Sequence, residues 1–404
     1  MITLPVIIMI LVLLVLALVT PLFSPFYRAD KDTLPQNMVT PDHEQEEEDE
    51  PIVASQVTPD RPLSIIITVH DNAHHLERVI DAYLSQEYNA DYQVVIIIDE
   101  NDTASEDVLK LRSENKHLYY TKLPISSRYL SRKKLAITIG LRAAKYDWCV
   151  ITSIYCQPTS KKWLRNFASY ISDDKNLVMG MTPYEKEAPI YYRYEQLRSL
   201  LYHLRTAEQG TAFSTNQSLV ALRKSEFFKE QGFAGYLEYQ RAEYEHLINK
   251  FARRNGTAIA IEPEAWLRFH GPSQKQWRYR HMHSIDSFPA MKRHKWFRSL
   301  FHFDLITMHV YNLLTVAAVI YGLVDMIVVE DGQMEGMLLM ILAILFWVGS
   351  IALRWRIYAP VLAAFGNIKA PQAIVLDWMV SGYNMFIRIL YKVTDRYDFM
   401  THRL

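Results

Sequence analysis

The sequence predicts an α/β domain with a mostly parallel sheet, joined to membrane-spanning helices on both sides. Continuous apolar runs at residues 64–69, 93–99 and 148–154 are typical of strands that are buried on both faces. Segments with helical periodicity separate these runs, and this alternation favours parallel pairing. Long stretches without charge flank the region. Together these observations predict a sheet domain at residues 61–290 held at a membrane.

The first 60 residues predict an anchor followed by a linker. Residues 1–27 carry no charge, and neither a basic leader nor a clear cleavage site accompanies them, so we expect a retained transmembrane helix. Residues 28–60 hold four prolines and an acidic run at 44–50. Low hydrophobicity and like charge predict a disordered, solvated spacer. Binding of a partner through the acidic run is the alternative.

The C-terminal part, residues 291–404, is predicted to be a helical membrane module. Two uncharged runs, at residues 305–324 and 336–353, predict spans at about residues 305–329 and 336–353. The apolar run at about 371–393 contains Asp377 and Arg388, which favours an interfacial or tilted helix. Basic residues flank the two spans, and the loop between them is acidic. This asymmetry predicts a cytoplasmic sheet domain.

Composition excludes several classes of protein. The 44 Lys and Arg residues balance 44 Asp and Glu residues, so the overall charge does not indicate a nucleic-acid partner. The two cysteines, Cys149 and Cys156, form neither a disulfide framework nor a zinc-binding spacing. Their small number suits a reducing compartment.

The stretch 131–164 is central to any function. Its helix opens with Arg132, Lys133 and Lys134, and its strand ends near residue 153. Ligands of open α/β sheets bind beyond the carboxyl ends of the strands, so residues 152–156 occupy a position where chemistry is expected. No carboxylate occurs there.

The order of motifs resembles a known family. The segments ITVHDNAHHLERVIDAYLSQ, VVIIIDENDTASEDV, SRKKLAITIGLRAAKYDWCVIT and RKSEFFKEQGFAGYLE are similar to family 2 glycosyltransferases of the GT-A (Rossmann-like) fold. The membrane-anchored, bacterial envelope type is the most similar. The resemblance covers roughly residues 61–290, and it implies a nucleotide-sugar ligand, usually held through Mg²⁺ or Mn²⁺.

The resemblance places the metal ligands of the family, an Asp-x-Asp pair, at Ser153 and Tyr155. A neutral hydroxyl and a neutral phenol cannot replace two carboxylates. We therefore expect a degenerate metal dyad and no metal site, with Mg²⁺ or Mn²⁺ only if the protein is active.

The resemblance assigns the nucleotide to strand-end residues. Asp99 and Glu100 match the position that contacts the base, and Asp71 lies where the ribose is expected. Lys133 and Lys134 complete the expected nucleotide site. Carboxylates at strand ends are also common as helix caps, which leaves a structural role open for the three acids.

Two further motifs depart from the family pattern. The glycine-rich turn that lets the backbone approach the sugar is replaced by Thr-Asn-Gln-Ser at 215–218. The segment AEYEHLIN at 242–249 matches the motif of the general base, with Tyr244 at the base position. Tyrosine is a poor base at pH 7. Glu243 or Glu245 could substitute, and ordinary helix carboxylates are the alternative.

The segment QKQWRYRH at 274–281 resembles the Gln-x-x-Arg-Trp motif with Trp277 and Arg278 in reversed order. Trp277, Arg278, Arg280 and His281 are therefore the expected diphosphate or acceptor site. The same cations could instead bind anionic lipid headgroups.

These departures lead to three functional hypotheses. The first is a pseudo-glycosyltransferase of cell-envelope glycan (polysaccharide) assembly that binds a UDP-type nucleotide or nucleotide-sugar, a lipid-linked glycan, or a partner glycosyltransferase or envelope protein. The second is an active inverting transferase that transfers a sugar to a lipid-linked or membrane-associated acceptor. The third is a membrane-anchored scaffold without a ligand. All three predict a multi-pass protein of the bacterial inner (cytoplasmic) membrane in contact with lipid.

Overall fold

The computed structural model describes residues 3–27, 34–35, 61–124, 131–291, 295–328, 333–366 and 368–394. The chain divides into two compact units. The helical unit comprises Met1–Leu34 and His294–Met385, and the sheet unit comprises Pro35–Arg293 and Phe386–Leu404. The predicted acidic spacer lies almost wholly outside the described residues.

The sheet unit is built on a seven-stranded sheet with the order β3-β2-β1-β4-β7-β6-β8. Two further strands, β5 and β9, pair with each other in a separate small sheet. Within the described ranges, the strands are β1 (Leu63–Thr68), β2 (Tyr92–Asp99), β3 (Leu118–Leu123), β4 (Trp148–Ser153), β5 (Cys156–Pro158), β6 (Leu177–Met179), β7 (Leu219–Arg223), β8 (Thr257–Ile259) and β9 (Leu267–Phe269).

Helices connect and cover these strands. Those of the sheet unit are α2 (Ala73–Leu84), α3 (Thr103–Lys110), α4 (Arg132–Ala143), α5 (Trp163–Ala168), α6 (Ile190–Glu208), α7 (Lys224–Lys229), α8 (Glu243–Phe251) and α9 (Gln274–Ser287). The long apolar helices are α1 (Leu4–Phe23), α10 (Lys295–Val328), α11 (Gln333–Phe365) and α12 (Ala370–Val393).

The parallel pairing predicted for residues 64–69, 93–99 and 148–154 is confirmed, and a further parallel strand, β3, was not predicted. β1 pairs in parallel with β2 and with β4, and β2 pairs in parallel with β3. The apolar side chains of β1, β2 and β4 are buried on both faces because helices cover the sheet on both sides. Gly140 of α4 permits this packing, since a Cβ atom there would lie 2.6 Å from side-chain atoms of Ile66 and Ile97.

The other half of the sheet is mixed. β7 is antiparallel to both β4 and β6, while β8 is parallel to β6. The short strands β5, β6, β8 and β9 have three residues each. Apolar periodicity cannot identify such short strands, which is why the sequence predicted only the parallel core.

The side chain of Asn72 bonds to two strand ends rather than to the helix that follows it. Asn72 occupies the N-cap position of α2, but its side chain does not bond to the first turn of that helix. The amide instead donates to the carbonyl of His70 and to the hydroxyl of Tyr155. Asn72 therefore links the ends of β1 and β4, the two strands that flank the expected site.

Among the described residues, four helices are long and apolar enough to cross a membrane: Leu4–Phe23, His302–Val328, Met334–Phe365 and Ala370–Val393. The predicted spans therefore lie within longer helices. Residues 371–393 lie in α12, a continuous helix that also qualifies as a span by length and composition. Its interfacial or tilted placement stays a prediction.

The helical unit buries a polar cluster. Ser24 donates to the hydroxyl of Tyr358 at 2.9 Å, and Tyr358 in turn donates to Asp377. Arg354 donates to the same hydroxyl at 3.2 Å and lies 3.8 Å from Asp377. Pairing of this kind compensates the high cost of charge inside an apolar helical bundle.

Candidate functional site

The carboxyl ends of three parallel strands meet at one edge of the sheet. Thr68 of β1 lies opposite Ile97 of β2 and Ser153 of β4. The residues that follow these strands include the expected nucleotide and metal positions. This edge is where open α/β sheets bind their ligands.

Asp99 lies at this edge, but its carboxylate is occupied. It is 3% exposed, contacts Nδ1 of His70 and accepts a hydrogen bond from Arg132 at 2.5 Å. Burial alone would raise the pKa of Asp99, but hydrogen bonds from His70 and Arg132 lower it. The hydrogen bond that His70 donates to Asp99 correspondingly raises the pKa of His70. Asp99 is thus the anionic centre of a three-residue ionic cluster.

The other expected nucleotide residues have different surroundings. Asp71 and Glu100 are exposed at the same edge, and Asp71 has a left-handed φ of 48°. Lys134 is 1% exposed and donates to the carbonyls of Tyr236 and Tyr239. Burial lowers the pKa of Lys134 to about 8. Contact of these three residues with a nucleotide stays a prediction.

The expected metal positions lie in the tight turn between β4 and β5. Ser153 Oγ accepts from the backbone N–H of Tyr155 at 3.4 Å, and the Tyr155 hydroxyl accepts from Asn72 at 3.2 Å. The Tyr155 ring also packs edge-on against His75, with 5.0 Å between centroids.

These groups do not fit a divalent metal. Mg²⁺ and Mn²⁺ prefer charged, hard oxygen ligands, and both oxygens here are neutral and already hydrogen-bonded. Within the described residues, no group of three or more His, Cys, Asp or Glu side chains could hold a metal ion.

The expected base position belongs to the core. Tyr244 is 4% exposed and packs in the apolar cluster between the sheet and α8. Burial, followed by the charge of Glu243, raises the pKa of Tyr244 well above its ordinary value. A buried phenol that is harder to ionise cannot serve as a base at neutral pH.

The two glutamates that flank Tyr244 have very different pKa values. Glu243 is buried and forms an ion pair with Lys133. Burial would raise the pKa of Glu243, but Lys133 and Arg241 lower it to about 2. For Glu245, burial is the main cause and Glu243 adds to it, so the pKa rises to about 7 even though Arg280 opposes the shift. Of the two, only Glu245 can exchange a proton near pH 7.

The backbone explains part of the degenerate base motif. Ala242 precedes α8 with a left-handed φ of 65°. The family pattern places glycine here, and glycine adopts this conformation without strain. The backbone shape is therefore retained although the residue has changed.

Residues of α9 contact the rest of the domain. Trp277 is 1% exposed and stacks on Tyr192 at 4.2 Å between ring centroids. Arg280 donates to the Tyr184 hydroxyl at 3.1 Å and to the Asn216 carbonyl. His281 lies 3.2 Å from Glu195.

The Arg278 guanidinium lies 5.8 Å from the ring centroid of Tyr279. The roles of Trp277, Arg278, Arg280 and His281 toward a diphosphate or an acceptor remain predictions.

The turn at 215–218 is filled by side chains. Gln217 accepts from the backbone N–H of Thr182 at 2.7 Å, and Asn216 donates to the Gln196 carbonyl at 2.8 Å. These bonds use side chains where the family pattern has glycines. The turn is therefore tied to the segment after β6 and to α6 rather than open to a ligand.

Four residues at this edge of the sheet were not predicted from the sequence to be site residues: His70, His75, Arg132 and His270. His70 and His75 stand in the segment HDNAHH, and the density of histidine beside a strand end was the available signal. His270 follows β9, a three-residue strand that the sequence does not reveal.

A comparison with protein families agrees with this architecture. Residues 64–232 match the family described as glycosyl transferase family 2. The chain therefore contains a family 2 glycosyltransferase-like domain with a GT-A sheet, as the sequence predicted. The base motif in α8 and the segment 274–281 lie beyond the matched residues.

Solved structures show a more distant likeness. The mannosyltransferase PcManGT from Pyrobaculum calidifontis, solved with GDP-Man and Mn²⁺, is 13% identical over 72% of this chain and 86% of its own, with a TM-score of 0.47. Residues 1–349 of S. aureus TarS, solved with UDP, are 12% identical over 74% of this chain and 90% of the TarS chain, with a TM-score of 0.41. No curated protein matches the chain significantly.

Proposed function

We propose that this protein is a pseudo-glycosyltransferase that binds a UDP-type nucleotide or nucleotide-sugar without a divalent metal. One observation carries the proposal. At the end of β4, Ser153 and Tyr155 offer only neutral oxygens, and both oxygens are hydrogen-bonded within the protein. Without a metal ion, the leaving diphosphate loses its usual charge stabilisation.

The base position supports the same proposal. Inverting transfer requires a group that removes the proton of the acceptor hydroxyl. Tyr244 is buried in the core, and Glu243 is held as an anion by Lys133. Neither side chain combines access to an acceptor with a suitable pKa.

The membrane helices suggest where such a protein acts. A chain with four candidate spans and a glycosyltransferase-like domain suits cell-envelope glycan assembly at the bacterial inner membrane. In this proposal the domain faces the cytoplasm and contacts lipid. The protein binds a partner glycosyltransferase, an envelope protein or a lipid-linked glycan, and it does not catalyse sugar transfer.

Active inverting transfer is the second candidate, and one observation favours it. Glu245 has a pKa near 7, and Arg280 stands close enough to affect that pKa. A carboxylate with such a pKa is suited to general-base work. This candidate would use a metal-independent transfer to a membrane acceptor.

A turnover assay separates the two candidates. We expect purified protein in lipid vesicles to release no UDP from UDP-sugars above the background of protein-free vesicles. Glu245→Gln, which keeps the size of the side chain and removes its basicity, should leave that result unchanged. Sugar transfer by the unmodified protein that Glu245→Gln abolishes would overturn the pseudo-enzyme proposal and identify the base.

Thiol labelling tests the orientation. Because Cys149 and Cys156 are buried, the folded protein gives a low background. We expect Gln333→Cys to react with an impermeant reagent on intact cells and Asp42→Cys to react only after lysis. Labelling of Asp42→Cys on intact cells would place the sheet domain on the other side of the membrane.

A further inference from the structure

A cluster of histidines lies beside the turn that replaces the metal site. The His75 ring of α2 is 5.0 Å from the Tyr155 ring and 6.4 Å from the His270 ring, measured between centroids. His74 is 5.9 Å from His75 on its other side. Three imidazole rings therefore surround the edge where the family places its metal.

His270 is the buried member of this cluster. It is 8% exposed, and its Nδ1 lies 2.7 Å from Oε1 of Glu185. Its other ring nitrogen, Nε2, is buried and has no hydrogen-bond partner among the described residues. Leaving a buried polar nitrogen unpaired costs about 1–3 kcal/mol. Because Nδ1 donates to the Glu185 carboxylate, Nε2 can donate to a ligand only when the ring carries both protons, as in an imidazolium. An anionic ligand that accepts from Nε2 of the protonated ring would remove this cost.

The surrounding charges can accommodate an anion. Glu185 is an acidic residue of this cluster, and it is paired with both His270 and Arg78, the latter at 3.9 Å. The groups that face His75 are His74 and Arg78 of its own helix, Tyr155 of the turn, and His270 beyond β9. Protonation of one imidazole would give the cluster a net positive charge.

We propose that His75, His270 and Arg78 bind the diphosphate of the nucleotide in place of a divalent metal. This proposal rests on the proposed function, since it names the groups that make metal-free binding possible. Imidazolium and guanidinium groups donate charge-assisted hydrogen bonds to phosphate oxygens. They can hold the diphosphate by hydrogen bonds and positive charge, and they do not require the missing carboxylates.

Such a site makes binding depend on pH. In the free protein, burial and the neighbours His270, His74 and Arg78 lower the pKa of His75, so His75 is neutral at pH 7. A bound diphosphate favours the protonated form, so binding takes up a proton. Affinity must then rise as the pH falls, by up to about tenfold per pH unit for each proton taken up.

Calorimetric titration in EDTA tests the proposal. We expect UDP to bind at least about threefold more tightly at pH 6.5 than at pH 8, and uridine to show no such dependence. His75→Gln and His270→Gln should each weaken UDP binding at pH 6.5 about tenfold, and His75→Gln should also flatten the pH profile. Glutamine keeps a donor beside Glu185 or Tyr155, and the melting temperature of each variant reports whether it folds.

The matched control is His117→Gln. His117 stacks on Tyr92 at 3.8 Å and precedes β3, at the opposite edge of the sheet. Its loss should leave UDP binding and the pH profile unchanged.

Three other outcomes distinguish failure of the histidine site from failure of the proposed function. UDP binding that neither histidine variant nor pH alters would overturn the histidine site and leave the proposed function standing. Pyrophosphate binding that the variants abolish, without binding of UDP, would support the histidine site and contradict the nucleotide proposal. Failure of both ligands to bind would overturn both.

Discussion

Replacement of Lys133 by methionine is expected to lower the free energy of unfolding by about 3 kcal/mol, the scale of a broken buried ion pair. Lys133 pairs with Glu243, whose side chain is 5% exposed. Methionine keeps most of the side-chain volume but leaves a buried carboxylate without its main partner. Thermal unfolding in detergent should show a melting temperature lower by about 5–10 °C.

The pH dependence of this effect has a defined sign. The pKa of Glu243 in the folded protein, about 2, lies below its ordinary value of 4.5. The ion pair therefore stabilises the protein fully above pH 4.5, and this stabilisation is lost as the pH falls toward 2. The difference between wild type and Lys133→Met should be smaller at pH 4 than at pH 7.

Two variants control the experiment. Lys133→Met with Glu243→Leu removes both charges, and we expect it to recover most of the lost stability. Lys186→Met changes an exposed lysine and should stay within about 0.5 kcal/mol of wild type. A melting temperature of Lys133→Met equal to that of wild type at pH 7 would show that the pair contributes nothing.

The second large effect concerns the metal. Ser153→Asp with Tyr155→Asp is expected to make UDP binding at least about tenfold tighter in Mn²⁺ than in EDTA. Two carboxylates at the end of β4 would supply hard, charged ligands beside the diphosphate. Sugar transfer should not follow, because Tyr244 would still occupy the core and the turn at 215–218 would still lack glycine.

The matched control is Ser153→Asn with Tyr155→Asn, which has the same shape without the charge and should show no Mn²⁺ effect. If the aspartate variant folds with a normal melting temperature but ignores Mn²⁺, the turn after β4 is not where a metal would meet the nucleotide. Transfer by the aspartate variant would instead show that the base is not at Tyr244 and would leave Glu243 or Glu245 as the candidate.

The parallel core of the fold could be predicted from sequence because its strands are long and apolar on both faces. Strands β1, β2 and β4 each have six or more residues, so their patterns stand out from the helices between them. The three-residue strands β5, β6, β8 and β9 bury too few side chains to produce a pattern. Their pairing depends on contacts between distant parts of the chain.

The site was predicted less well for a similar reason. Ser153, Tyr155 and Tyr244 stand where the family has carboxylates, and this replacement can be recognised from the sequence alone. The ionic partners of Glu243 and Asp99, in contrast, cannot be recognised from the sequence. Lys133 lies 110 positions from Glu243, and Arg132 lies 33 positions from Asp99. Only the packing of α4 beside β2 and α8 brings these charges together.

The most direct test of metal-free binding is a titration of UDP into the unmodified protein in Mn²⁺ and, separately, in EDTA. Ser153 and Tyr155 provide no charged ligand, so metal-free binding predicts measurable affinity for UDP with the same dissociation constant in both conditions. Binding at least tenfold tighter in Mn²⁺, or binding that EDTA abolishes, would contradict it.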